Sequence, residues 1–281
     1  MIPQSFDYTA PKSLEEALAL MEGGERKILA GGMSLIPLMK LRLAQPAEVV
    51  DLGRVPGLDS ITEVDGVVRI GAMTTHHAVE TSPVIRAHCP LLVETAAQIG
   101  DVQVRNMGTM GGSIAHADPA ADYPAALVAL EARIHLVSAH SDRTVVAADF
   151  FQDAFTTAIE PGEIVLDIEV PKEPSNEGSR YEKFPHPASG FAVVGVAARI
   201  RKNGNGIAMA RVGVTGMGTH AFRDRAAEEL LEKGASIADA AAVVGSGEQP
   251  NADLFASADY RRHLARVHAV RALTAALSRA S

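Results

Sequence analysis

Apolar positions recur along this chain at two spacings, one helical and one strand-like. Leu14, Ala17, Leu18 and Met21 fall at i, i+3, i+4 and i+7, the stripe of a helix facing a core. Ser13, with Glu16 three positions later, forms a capping box that starts this helix, and Gly23-Gly24 closes it. Lys27-Ile28-Leu29 predicts a short strand, residues 35–41 a short helix and residues 49–52 a second strand. Residues 1–57 thus form a small β-α-β unit. From Leu58 the texture changes. Two alternating runs, 61–64 and 67–70, flank Asp65-Gly66 and predict a β-hairpin. Ser82-Pro83 starts a short helix with proline at its first position, and residues 90–99 form a longer one ending at Gly100. A helix at 123–130 and strands at 134–137, 144–147 and 164–170 complete the second part.

Residues 171–179, rich in proline, serine, glycine and charge, read as a linker. Strands at 192–200 and 207–214 follow it, then helical stretches near 222–233, 236–244 and 259–280. The fold class is α+β. A two-part domain over residues 1–175 (subdomains about 1–57 and 58–175) precedes a C-terminal domain of antiparallel sheet and helices over residues 176–281.

Composition narrows the function classes without choosing one. With 47% hydrophobic and 21% charged residues, the 281-residue chain has the balance of a globular protein. A net charge of −8 argues against nucleic acid as a partner. No apolar run approaches the roughly 20 residues that span a bilayer, and the N-terminus lacks a secretory pattern. The expected location is the cytoplasm, any membrane association coming through partners. Cys89 is the single cysteine, so this chain alone can hold neither an internal disulfide nor an iron–sulfur cluster.

Two glycine-rich loops carry the candidate chemistry: Ala30-Gly31-Gly32-Met33-Ser34 and Thr109-Met110-Gly111-Gly112-Ser113. Glycine backbone can approach a ligand closely, and successive amides beside a helix N-terminus form a concave donor surface for phosphate oxygens. Two such loops suit a ligand with two linked phosphates, a dinucleotide; two plain tight turns are the bland alternative. The Gly-x-Gly-x-x-Gly spacing is missing, and so is the lysine of a Walker loop. That favours a pyrophosphate that stays intact. A side chain at Gly32 or Gly111 is expected to intrude on it.

Asp122, past the second loop, suits either a ribose hydroxyl or the cap of the next helix. His116, Asp118 and Asp122 resemble a metal cluster less than an Asp-Pro turn, and no metal site is assigned. His76-His77 read as solvated residues at a helix start, Cys89 as a small core residue, and Arg261, Arg262, Arg266, Arg271 and Arg279 as a solvated or partner-facing row. No Gly-x-Ser-x-Gly elbow is present.

Taken together, residues 29–41, Gly71-Ala72-Met73-Thr74-Thr75, the run Val104-Arg105-Asn106-Met107-Gly108 leading into Thr109–Ser113, Asp122, Pro161-Gly162-Glu163-Ile164-Val165 and Tyr181-Glu182-Lys183-Phe184 resemble the FAD-binding medium subunit of molybdenum hydroxylases. Carbon monoxide dehydrogenase and xanthine dehydrogenase are of this type. The resemblance covers essentially the whole chain. Two positions depart from the family's habit: Met33 stands where histidine is frequent, and Ser113 where asparagine is. A site built on backbone amides tolerates both.

The resemblance implies FAD as the cofactor. It places Leu29, Ala30, Gly31, Gly32, Met33, Ser34 and Leu35, with Thr109, Met110, Gly111, Gly112 and Ser113, around the pyrophosphate, and Gly100 in the cofactor lining. It puts Asp122 at the adenosine ribose, the backbone near Ile164 along the adenine, Lys183 at the flavin and Phe191 beside the isoalloxazine ring. It implies no catalytic residue on this chain. It further implies partners: an iron–sulfur small subunit with 2Fe-2S clusters and a large subunit with the molybdenum cofactor, arranged as a dimer of heterotrimers. This chain would be their electron-transfer subunit, passing electrons through FAD to an external acceptor. A self-sufficient flavin oxidoreductase, using His186, His220 or Arg211, is the alternative, and a non-redox nucleotide-binding module a third reading.

Overall fold

A computed structural model of the chain describes residues 2–23, 26–204 and 206–281. The N-terminal unit runs β1 (Asp7–Thr9), α1 (Leu14–Met21), β2 (Arg26–Leu29), α2 (Leu35–Lys40) and β3 (Glu48–Asp51). Its sheet is parallel, in the order β1-β3-β2, so one strand more joins it than the hydropathy predicted. Three-residue β1 is too short and too polar to show a period. Ser13 Oγ accepts from the Glu16 N–H at 3.1 Å, while the Glu16 carboxylate accepts from the Lys12 N–H at 2.8 Å, one residue ahead of the usual box partner. Gly23 lies at φ +118, as a helix-closing glycine should, and Gly24 lies outside the described residues.

The second part contains β4 (Ile61–Val64), β5 (Val67–Gly71), α3 (His76–Thr81), α4 (Pro83–His88), α5 (Pro90–Ala97), α6 (Val102–Met107), α7 (Met110–His116) and α8 (Tyr123–Ala129). It continues through β6 (Arg133–Val137), β7 (Asp142–Val146), α9 (Ala147–Phe150), the small ribbon β8 (Phe151–Asp153) and β9 (Thr156–Thr157), and β10 (Ile164–Pro171). Asp65 at φ 47 and Gly66 at φ 86 make the two-residue turn whose twist suits a hairpin. β10 then returns to the centre of a five-stranded antiparallel sheet, β4-β5-β10-β6-β7. The second glycine segment differs from the expected loop: Gly111 and Gly112 lie in the first turn of α7.

The C-terminal part holds β11 (Glu177–Pro185), β12 (Ala192–Asn203), β13 (Gly206–Thr215), β14 (Phe222–Arg223), α10 (Arg225–Glu232), α11 (Ile237–Val243) and α12 (Ala258–Arg279). Its four strands pair antiparallel in sequence order. The predicted linker is shorter than composition suggested, because Glu177, Gly178 and Ser179 are buried at the start of β11. Gly178 is a glycine for packing: a Cβ there would lie 2.3 Å from the Ala276 carbonyl oxygen of α12.

Three hydrophobic cores correspond to these parts. The N-terminal core gathers Ala17, Val50, Leu52, Val55, Leu58 and Ile164; the central one gathers the five-stranded sheet with helices α3 to α5 and α7 to α9; the third lies between the C-terminal sheet and α10 to α12. Tyr181 and Ala197 of the C-terminal sheet belong to the central core, so the two domains share a buried surface. The final helix turns inward at Arg261, which was expected on the surface. Its guanidinium donates to the Val193 and Gly216 carbonyls at 2.6 and 2.7 Å. Arg279 likewise reaches Glu94 of α5 at 2.6 Å. Both serve intramolecular contacts because carbonyl-rich strand ends face α12.

Candidate functional site

The two glycine segments meet. Loop one joins the end of β2 to the start of α2. An added Cβ on Gly31 would lie 2.0 Å from the Met107 carbonyl oxygen and 2.6 Å from Gly108 Cα, so Gly31 lies directly against the approach to α7. A Cβ on Gly112 would stand 3.4 Å from Ala30 Cβ. Segments far apart in sequence thus share one junction, and glycine lets their backbones touch.

Loop one presents donors. The Gly32 and Ser34 carbonyls turn into α2 and accept from Ile36 and Leu38. The backbone N–H groups of Gly31, Gly32, Met33, Ser34 and Leu35 have no acceptor among the described residues. Ser34 precedes α2 without capping it. Five adjacent unpaired N–H groups at the C-terminal edge of a parallel strand form a donor concavity for an anion.

Loop two is built differently. The Met110 N–H donates to the Thr74 carbonyl at 2.9 Å, the Gly111 N–H to the Ala72 carbonyl at 2.8 Å, and the Gly112 N–H to Thr109 Oγ1 at 3.1 Å. The first-turn amides of α7 are therefore engaged within the protein, and loop two is not a second cradle of free amides. The reason for Gly111 also changes. A Cβ there would lie 2.4 Å from Ala72 Cβ, so Gly111 is required by packing within the protein. At Gly32, with φ +73, the added atom would meet Ile36 Cδ1 at 2.6 Å. Residues 71–75, which carried the family likeness without a role, grip α7 and hold it against loop one.

His76 packs behind this grip. It was expected to be solvated and is buried, its ring 5.3 Å from that of Tyr123 and its Nδ1 without a partner. Burial, helped by the Arg105 charge, pushes its pKa down to about 4 from 6.5. The folded state resists protonation while the unfolded chain accepts it near pH 6.5. Stability is therefore expected to fall as pH drops from about 6.5 towards 4, by about 3 kcal/mol over the interval. In urea titrations, His76→Gln should lose that part of the acid slope; an unchanged slope would place the titrating group elsewhere.

Gly100 follows α5 at φ +48. Arg105 holds its turn: the guanidinium donates to the Ile99 and Gly100 carbonyls at 3.2 and 3.3 Å and pairs with Glu80 at 2.9 Å. From the C-terminal domain, the turn between β11 and β12 approaches this point, and a Cβ on Gly190 would lie 3.7 Å from Gly100 Cα. Phe191, next along, is partly exposed. Ile164 opens β10 and is buried in the N-terminal core.

Asp122 is buried and does not cap α8. Its Oδ1 accepts from the Tyr181 hydroxyl at 2.6 Å and its Oδ2 from Lys183 Nζ at 2.9 Å. Lys183 Nζ also donates to the Gln98 carbonyl at 2.9 Å. Burial pushes the Asp122 carboxyl above the usual carboxylate range, against the pull of Lys183 and Tyr181. Tyr181 and Lys183 are two apart on β11 and project from the same face onto the first domain. In the sequence, the only sign of the Tyr181 partnership is its strand alternation with Lys183.

The other polar candidates do not converge. His186 Nδ1 accepts from the Ala188 and Ser189 N–H groups within its own turn, and Arg211 pairs with Glu131 and Glu232. Asp118 accepts from the Ala120 N–H in an Asx turn, and His116 packs on Phe155. Cys89 is buried, its thiol pushed up to about 12 mainly by burial.

Residues 4–173 match the family described as the FAD binding domain in molybdopterin dehydrogenase, and residues 179–276 match the CO dehydrogenase flavoprotein C-terminal domain. The chain belongs to this flavoprotein family. It is 40% identical, over 99% of both chains, to the carbon monoxide dehydrogenase medium chain of Hydrogenophaga pseudoflava. It is 38% identical to the glyceraldehyde dehydrogenase medium chain of Sulfolobus acidocaldarius, over 97% of this chain and 98% of that one. Its fold superposes on a solved carbon monoxide dehydrogenase structure from Hydrogenophaga pseudoflava with a TM-score of 0.97, at 41% identity and full coverage of both chains. Quinoline 2-oxidoreductase from Pseudomonas putida gives a TM-score of 0.94 at 31% identity, covering 100% of this chain and 99% of that one. The flavoprotein is thus a medium, FAD-binding subunit of the molybdenum hydroxylase type. Its donor-lined loop one fits FAD, whose pyrophosphate needs hydrogen-bond donors. No helix among the described residues is long and apolar enough to cross a membrane.

Proposed function

We propose that this flavoprotein is the electron-transfer subunit of a cytoplasmic molybdenum hydroxylase. It would receive electrons from 2Fe-2S clusters on an iron–sulfur small subunit and deliver them to an external acceptor, while a large subunit holds the molybdenum cofactor and oxidises the substrate. A dimer of such heterotrimers is the assembly. The observation that carries the reading is the row of five N–H groups from Gly31 to Leu35 that have no acceptor among the described residues, within a domain of the FAD-binding family. In this reading Leu29 to Leu35 bind the pyrophosphate, and the α7 start, Thr109 to Ser113, braces that loop and adds the Ser113 hydroxyl. Gly100 lines the flavin end beside Phe191, and the Ile164 backbone flanks the adenine. Asp122 and Lys183 contribute as a buried pair in the wall. The domain division lies near residue 175.

Bound FAD supplies the redox chemistry, accepting electrons singly and releasing them in pairs. The protein's residues bind and orient it, and the unpaired amides at the start of α2 favour its phosphate charges. The lone, buried Cys89 supports cluster-bearing partners, since this chain cannot hold a cluster alone. The self-sufficient alternative lacks support, because His186 and Arg211 are tied into separate local contacts. The test is native mass spectrometry of the protein purified from its own cells. Co-purification of FAD with two further chains, one containing iron and sulfide and one containing molybdenum, is expected. An isolated chain turning over organic substrates at a normal enzymatic rate, on the order of 10 per second, would overturn the reading.

A further inference from the structure

We propose that Tyr181 is a positioning residue for the flavin site, acting through Asp122 to keep Lys183 a paired cation against the Gln98–Gly100 turn. The inference rests on the reading above, in which this turn borders the flavin. Tyr181 is wholly buried and donates to Asp122 Oδ1 at 2.6 Å, while Lys183 donates to the other oxygen at 2.9 Å and to the Gln98 carbonyl at 2.9 Å. The arrangement joins three elements: Asp122 before α8, the face of β11, and the end of α5. Each carboxylate oxygen has one donor, and the hydroxyl is the donor that carries no charge. Without it, Oδ1 would be buried and unpaired, which favours the protonated carboxyl. Lys183 would then stand uncompensated beside the Gln98 carbonyl.

The site is built to receive this hydroxyl. A Cβ on Gly195 of β12 would lie 2.3 Å from the Tyr181 oxygen, so even alanine there would push the phenol away from Asp122. Gly195 is the fourth residue of a twelve-residue strand, where glycine weakens pairing. The charged groups facing this pair are few: Glu94 of α5, whose Oε2 accepts from the Tyr181 N–H at 3.3 Å, and beyond it Arg180 and Arg279, which pair with Glu94.

The test compares wild type, Tyr181→Phe and Gly195→Ala in the FAD-loaded complex by spectroelectrochemical titration of the flavin. Freed positive charge stabilises the more negative, reduced cofactor, so both variants should shift the flavin midpoint upward. A tenfold change in the reduction equilibrium reads as about 30 mV for a two-electron couple. FAD retained at wild-type potential in either variant would overturn the inference and leave the FAD reading intact. A wild-type complex without flavin would instead overturn that reading. If Tyr181→Phe does not fold, Gly195→Ala decides, since it keeps the phenol and crowds its oxygen. A loss of melting temperature with no change in midpoint would mark Tyr181 as structural only.

Discussion

Gly31→Ala is expected to strip the flavoprotein of FAD. The added methyl would sit 2.0 Å from the Met107 carbonyl oxygen and 2.6 Å from Gly108 Cα. Both obstacles are backbone, and the Gly108 N–H and carbonyl are themselves bonded to Val104 and His76, so neither can rotate aside as a side chain would. The junction between loop one and α7 must open. Overpacking of this kind costs about 3 kcal/mol, at the upper end of the usual range. If the strain falls on the loop that carries the donors, FAD binding weakens roughly a hundredfold. The purified variant should be folded by circular dichroism and nearly colourless. Gly247→Ala is the control, because a Cβ there meets nothing within 4 Å, and its effect should stay within about 0.5 kcal/mol. A Gly31→Ala protein with full flavin absorbance would show that the two segments need not touch to bind the cofactor.

Asp122→Leu should destabilise the protein by about 3–5 kcal/mol, the cost of leaving a buried ammonium without its carboxylate. Lys183 has almost no solvent on its side chain, so water cannot replace the lost partner. Lys183→Met alone should cost a similar amount for the opposite reason, stranding a carboxylate held only by the Tyr181 hydroxyl. The double variant Asp122→Leu/Lys183→Met removes both charges, and most of the loss should return. Urea denaturation of the four proteins measures the coupling directly. Additive losses in the double variant would mean that the pair does not act as a unit, and that Asp122 and Lys183 serve separate contacts.

How much of this site could be read from the chain varies by residue, for physical reasons. Ser82-Pro83 and Asp65-Gly66 were legible because caps and two-residue turns depend on a few adjacent φ/ψ values, and both form as expected. The run after Pro171 was misleading: prolines, serine and glycine read as linker, yet Gly178 and Ser179 are strand residues. Their small size serves packing against α12, a contact with residues far along the chain. The short strand β1 and helix α6 escaped notice because three or six residues carry too little periodicity. His76 looked polar and therefore solvated; a neutral imidazole tilted against Tyr123 is buried instead.

By itself, then, the sequence determined the α+β class, the places where chain breaks and caps fall, and the family, through glycine, threonine and charged residues at fixed spacings. Those features are local, or depend only on the order of residues along one strand or helix. Tertiary structure alone decided what each glycine is for and where each charge goes. Gly31 and Gly111 are small because another backbone passes against them, and only the fold brings Met107 and Ala72 there. Asp122 and Lys183 are paired because β11 lays its inward face on the start of α8, across many intervening residues. Close approach and charge pairing depend on distance in space, which residue order does not state.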